Sequence, residues 1–112
     1  MIKGKSFSIM AVMETHYIAV LEDAGPDTAI GVWFPDLRGC FSAGDTFEEA
    51  ISNAPQAASL WLEALENRPW PRPRSLTELR KDPQFIEDMK DFGANPLYLV
   101  VPVAIPVKQA AE

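Results

Sequence analysis

A single cysteine, Cys40, and a single histidine, His16, leave the chain without an internal disulfide or a Cys/His metal cluster. The framework of a small secreted scaffold is therefore absent, and the composition suits a reducing cytoplasm. Cys40 reads as a small buried hydrophobe, and His16 lies too far from it in sequence to suggest a catalytic pair. Basic residues are also scarce: 10 Lys and Arg stand against 16 Asp and Glu, for a net charge of −6. That balance opposes non-specific binding to nucleic acid, which needs clustered cations, and favours a basic protein partner. Long apolar runs are missing. Leu97–Val107 falls well short of the ~20 residues that span a bilayer and contains two prolines. Lys3 and Lys5 before Phe7–Met13 imitate a signal peptide, but Glu14 closes the run and no small-x-small cleavage site follows.

Catalytic signatures are lacking too. There is no Gly-rich phosphate loop and no Gly-x-Ser-x-Gly elbow. The carboxylates Glu22, Asp23, Asp27, Asp36, Asp45, Glu48 and Glu49 are scattered, and each has a local explanation in a turn, a strand end or a helix cap. Metal-assisted hydrolysis would require them to converge. The expectation is a protein that is not an enzyme and needs no cofactor.

What the sequence does have is one locally determined stretch, Trp33–Ala50. Pro35 fixes φ and lacks a donor, so a strand entering at Phe34 stops there, and Asp36 and Gly39 supply turn chemistry before a second strand. Asp45 stands three residues before Glu48, the spacing of a capping box, which predicts a helix from about Thr46 with Asp45 as its N-cap. Phe47, Ala50, Ile51, Ala54, Ala58, Trp61, Leu62 and Leu65 then fall at helical spacing and predict one continuous apolar stripe packed on a sheet. Pro55 sits inside this helix and predicts a kink or break there.

Around that stretch, Tyr17–Glu22 reads as a central strand because it is almost wholly apolar. Thr28–Phe34 alternates, with Ile30, Val32 and Phe34 on one face, and Cys40–Ala43 reads as a short third strand. Arg68–Arg74 interleaves prolines with Arg68, Trp70, Arg72 and Arg74 and reads as a rigid, extended connector, the other reading being a docking strip for an acidic or proline-reading partner. Ser75 to Glu78 is a second capping box, Pro83–Phe92 a further short helix ending at Gly93, and Leu97–Val103 the last strand, ended by its prolines. The division is a leader over 1–15, a core over 17–66, a connector over 67–75, short helices and a strand over 76–103, and a tail over 104–112. The fold class is α+β: a small, largely antiparallel sheet with helices on one face, in the order β-β-β-α-(α)-β. At 112 residues it forms one domain.

The run aromatic-Pro35-Asp36-Leu37-x-Gly39-Cys40, followed by Gly44-Asp45-Thr46-aromatic-Glu48-Glu49-Ala50 and a small-residue helix carrying Asn53-Ala54, resembles the antitoxin family HicB. The resemblance runs from about residue 17 to 75. It implies a partial ribonuclease-H-like fold, in which these motif residues are mainly structural. It also implies an antitoxin that covers and silences a small basic ribonuclease toxin, HicA. The other reading is a solitary HicB-like domain that acts as an oligomeric interaction unit. Family antitoxins usually add a C-terminal ribbon-helix-helix or helix-turn-helix module. Glu112 stands about nine residues past Val103, so this chain is expected not to bind DNA by itself. The apolar, little-charged Leu97–Val107 strand predicts a homo-oligomer, and the expected place is the cytoplasm, without membrane contact.

Overall fold

The computed structural model describes residues 10–23, 25–66, 68–92 and 96–108. Lys3, Lys5, most of the leader, Gly93 and the end of the tail lie outside the described residues. The elements are β1 (Met10–Asp23), β2 (Ile30–Trp33), β3 (Phe41–Gly44), α1 (Phe47–Glu63), α2 (Leu76–Leu79), α3 (Pro83–Met89) and β4 (Leu97–Lys108). All strand pairs are antiparallel, in the order β3-β2-β1-β4. This is the expected α+β class built on an antiparallel sheet.

β1 is central, as its apolar run requires: Tyr17, Ala19, Val20 and Leu21 are buried although they alternate between the two faces of the sheet. It begins earlier than the expected Tyr17. Residues assigned to a leader extend the strand back to Met10, where it pairs with Lys108. β4 likewise outruns its expected end at Val103, passing through Pro102 opposite His16 and Pro106 opposite Val12. An edge strand tolerates this, since alternate N–H groups face away from the neighbouring strand and can be missing without loss to the ladder.

The helices do not share one face, which corrects the expected arrangement. Tyr17, Ala19, Leu21, Ile30 and Val32 pack under α1, through Ala50, Ala54, Ala58 and Leu62. On the opposite face Val20 packs with Leu79 of α2 and Phe85 of α3, joined by Ile18, Trp33 and Tyr98. The reason lies in β1: with apolar residues on both sides, each face needs its own cover, and burying one large side chain is worth about 1.5–3 kcal/mol.

The apolar stripe of α1 is narrower than its sequence suggests. The buried seam recurs every four residues from Ala50 to Leu62, and Ile51, one position off the seam, is 45% exposed. α1 also runs unbroken through Pro55. The carbonyl left without its donor belongs to the exposed Ile51, where water can bond to it, so the lost bond need not interrupt the helix. α3 closes at Met89, short of the expected Phe92.

Residues 69–75 form the extended connector. It carries the chain from the α1 face to the α2–α3 face, and Tyr17 Oη donates to the Pro71 carbonyl at 2.7 Å.

Candidate protein-binding face

The loop between β2 and β3 is closed by its own backbone. Leu37 N donates to Phe34 O at 3.1 Å and Cys40 N to Leu37 O at 2.9 Å. Gly39 has φ +84°, a conformation costly for any residue with a Cβ. Pro35, Leu37 and Cys40 are buried. Burial pushes the Cys40 thiol pKa up, away from nucleophilic chemistry, as its reading as a core residue anticipated.

Asp36 is more than a turn former. Its side chain is only 4% exposed and receives Arg74 Nε at 2.7 Å and Arg74 N at 2.8 Å. Arg74 Nη1 also reaches Asp82 Oδ2 at 2.8 Å, and Asp82 caps α3 by accepting from Gln84 N. These two carboxylates, Asp82 first, hold the guanidinium pKa above its ordinary value. One arginine therefore ties the β2–β3 loop, the connector and α3 together.

The helix cap sits one residue later than expected. Thr46 is the N-cap, its Oγ1 accepting from Glu49 N at 3.0 Å, and Glu49 reaches back to Asp45 N at 2.6 Å. Asp45 and Glu48 are exposed, and their side chains take no part in this pair of bonds; Asp45 contributes only its backbone N–H. Gly44 explains why the helix starts where it does. A Cβ there would lie 2.3 Å from Ala50 N, so only glycine lets β3 run so close to the first turn.

These motif residues set the stage for Phe41, which sequence reasoning did not single out. Phe41 pairs with Trp33 across the β2–β3 ladder. Trp33 is covered: its ring stacks on Phe85 at 5.9 Å and tilts against Phe92 at 5.4 Å. Phe41 is not, and stands 67% exposed on the edge strand. The α2–α3 layer thus ends at Trp33 and leaves its cross-strand partner in water. The missed signal was the doublet Cys40-Phe41: adjacent strand residues face opposite sides, so one of these two apolar residues had to point away from the α1 core.

A groove of about 400 Å³ opens beside Phe41, lined by the aromatic rings of Trp33 and Phe92 and by the charged residues Asp88, Asp91 and Arg38. On the other side of Phe41 a shallower depression is lined by Leu60 and Trp61. Leu60 is 59% exposed, and Trp61 Nε1 donates to Arg38 O at 3.0 Å, which fixes the loop against α1. An exposed aromatic between two apolar depressions with a charged rim is the anatomy of a protein-binding hot spot.

Among the described residues, no three His, Cys, Asp or Glu side chains stand so as to hold a metal ion. No described helix is long and apolar enough to cross a membrane.

Residues 17–92 match the family described as HicB-like antitoxin of bacterial toxin–antitoxin systems. The UPF0150 protein ssr1765 of Synechocystis is 44% identical over 61 residues, covering 53% of this chain and 77% of that protein. An uncharacterised 14.9 kDa protein of Haemophilus phage HP1 is 37% identical over 60 residues, covering 52% of this chain and 42% of that one. Among solved structures, a chain of a HicA3–HicB3 toxin–antitoxin complex superposes with a TM-score of 0.57 at 28% identity, covering 80% of this chain and 95% of that chain. The N-terminal domain of the Burkholderia pseudomallei antitoxin HicB shares the fold, with a TM-score of 0.56 at 21% identity, covering 78% of this chain and 95% of that domain.

Proposed function

The chain belongs to the HicB-like antitoxin family of bacterial toxin–antitoxin systems, and on that premise we propose that it binds and neutralises a small basic toxin of the HicA type. The observation that carries this reading is Phe41, an aromatic held out of the core at a sheet edge, after a loop closed by the Leu37 and Cys40 backbone hydrogen bonds and before the close approach of Gly44 to α1. An exposed aromatic on a rigid scaffold loses little conformational freedom on docking, and it is this type of residue that dominates interface energetics. Acidic charge on the whole chain suits a basic partner by steering encounter. The mode of action is cover rather than catalysis: Asp36 is committed to Arg74, and Glu49 to the start of α1. The same acidic balance opposes DNA binding by this chain.

Co-expression of the chain with the small basic protein encoded beside it tests the proposal. The two are expected to co-purify, toxicity to be lost, and the association rate to fall as salt rises. Failure to co-purify together with undiminished toxicity overturns it and favours a solitary interaction domain.

A further inference from the structure

The groove beside Phe41 has a chemistry of its own. Trp33 and Phe92 give it an aromatic lining, and the Trp33 ring is packed against Phe85, stacked at 5.9 Å. Asp88 and Asp91 form its rim from the end of α3 and the turn after it. Asp88 Oδ1 accepts from Gln84 Nε2 at 2.9 Å, which orients the carboxylate, and no described residue bonds or pairs with the Asp91 side chain.

Three kinds of occupant can be compared. An apolar side chain would fit the walls but strip water from two carboxylates without replacing it. An anion would meet two carboxylates against the single arginine of the lining, Arg38. A cation alone satisfies walls and rim together, since aromatic faces attract it and carboxylates accept its N–H groups. Arg38 lines the same groove and leaves it one net negative charge; among the described residues no carboxylate pairs with its guanidinium, so neither aspartate is neutralised by it.

We propose that this groove receives a lysine or arginine side chain of the basic partner, seated between Phe41 and Phe92 beneath Asp88 and Asp91. The proposal rests on the antitoxin reading and assigns to it a contact site.

The test uses the whole chain, observed by heteronuclear NMR while blocked arginine amide is added, with blocked citrulline amide as the uncharged control. Arginine is expected to shift the signals of Trp33, Phe41 and Phe92, and citrulline to leave them unmoved. In the double variant Asp88→Asn, Asp91→Asn the arginine affinity should fall about five- to tenfold, with the melting temperature unchanged. Affinity for the co-expressed basic protein should fall with it, whereas Glu63→Gln with Glu66→Gln, at the far end of α1, should leave it unaltered. No shift with either compound, or equal shifts with both, overturns the groove assignment. So does partner binding that the Asp88/Asp91 variant leaves untouched, and that result spares the antitoxin reading. Arginine binding without any partner binding overturns the antitoxin reading instead.

Discussion

Arg74 grips Asp36 with backbone and side chain at once, N at 2.8 Å from Oδ2 and Nε at 2.7 Å from Oδ1. The pair closes a span of 38 residues and fastens the connector beneath the β2–β3 loop that presents Phe41. Asp36→Ala leaves two donors of Arg74 without their acceptor in a partly buried site. It should lower stability by about 1–3 kcal/mol in urea denaturation, and Asp36→Asn by less. Since the loop leads directly into Phe41 at the start of β3, partner affinity should fall along with stability.

Acid should loosen the same region. Arg74 first, then the Gln84 N–H, hold the Asp82 pKa below the ordinary carboxylate value; the Ser75 N–H first, then Arg72, do the same for Glu78. A depressed pKa means that the folded state resists protons that the unfolded chain accepts. The stabilisation is therefore fully present above the ordinary values near pH 4 and is lost as the pH falls through the lower folded ones. Urea midpoints measured downward from pH 6 should hold until about pH 5 and then decline. Arg74→Gln should make that decline shallower, and an unchanged profile would contradict the assigned role of Arg74.

At the start of α1, Thr46→Ala should cost about 0.5–2 kcal/mol through loss of the N-cap. Asp45→Ala should cost less, because only its backbone N–H enters the cap. Thermal melts of the two variants rank them, and a larger loss at Asp45 would place the cap one residue earlier.

Those two positions show where sequence reasoning reaches and where it stops. Asp45 and Thr46 are both good caps, and each has a glutamate three residues on. Local spacing cannot choose between them; in the structure Thr46 takes the cap, and the close approach of Gly44 to Ala50 is a contact that spacing does not reveal. The strands, the small-residue seam of α1 and the Ser75–Glu78 box were legible because each is a short-range pattern. The face taken by α2 and α3 was not, because periodicity says that a helix has an apolar side and not which surface receives it. The Arg74 hub was hidden for the same reason: its two carboxylates come from separate segments. Phe41 looked like any strand phenylalanine until the end of the α2–α3 layer was known.

The two loop glycines should respond differently to alanine. Gly39 sits at φ +84° with open space around it, so Gly39→Ala should cost about 1–2 kcal/mol, from backbone strain alone. Gly44→Ala must push against helix backbone at 2.3 Å and should cost more, with α1 shifted relative to β3. Equal losses would mean that the β3–α1 approach is adjustable.

The free edge of β4 supports a last prediction, that the chain self-associates. Among the described residues only β1 borders β4 in the sheet and no strand pairs with its other edge, and Leu97 and Val100 stand 49% and 61% exposed. Open apolar edges attract further strands unless something blunts them. The two prolines blunt part of this one: as Pro102 and Pro106 are two positions of the same alternation, they remove donors from one side of the strand, and the intact β1 ladder places that side outward. Pairing between copies is therefore confined to the proline-free end, Leu97–Val101. Light scattering at tens of micromolar should give a mass above that of the monomer, and Val100→Lys should restore the monomer without altering the melting temperature. A monomeric mass for the unaltered chain at that concentration would show that the prolines protect the whole edge.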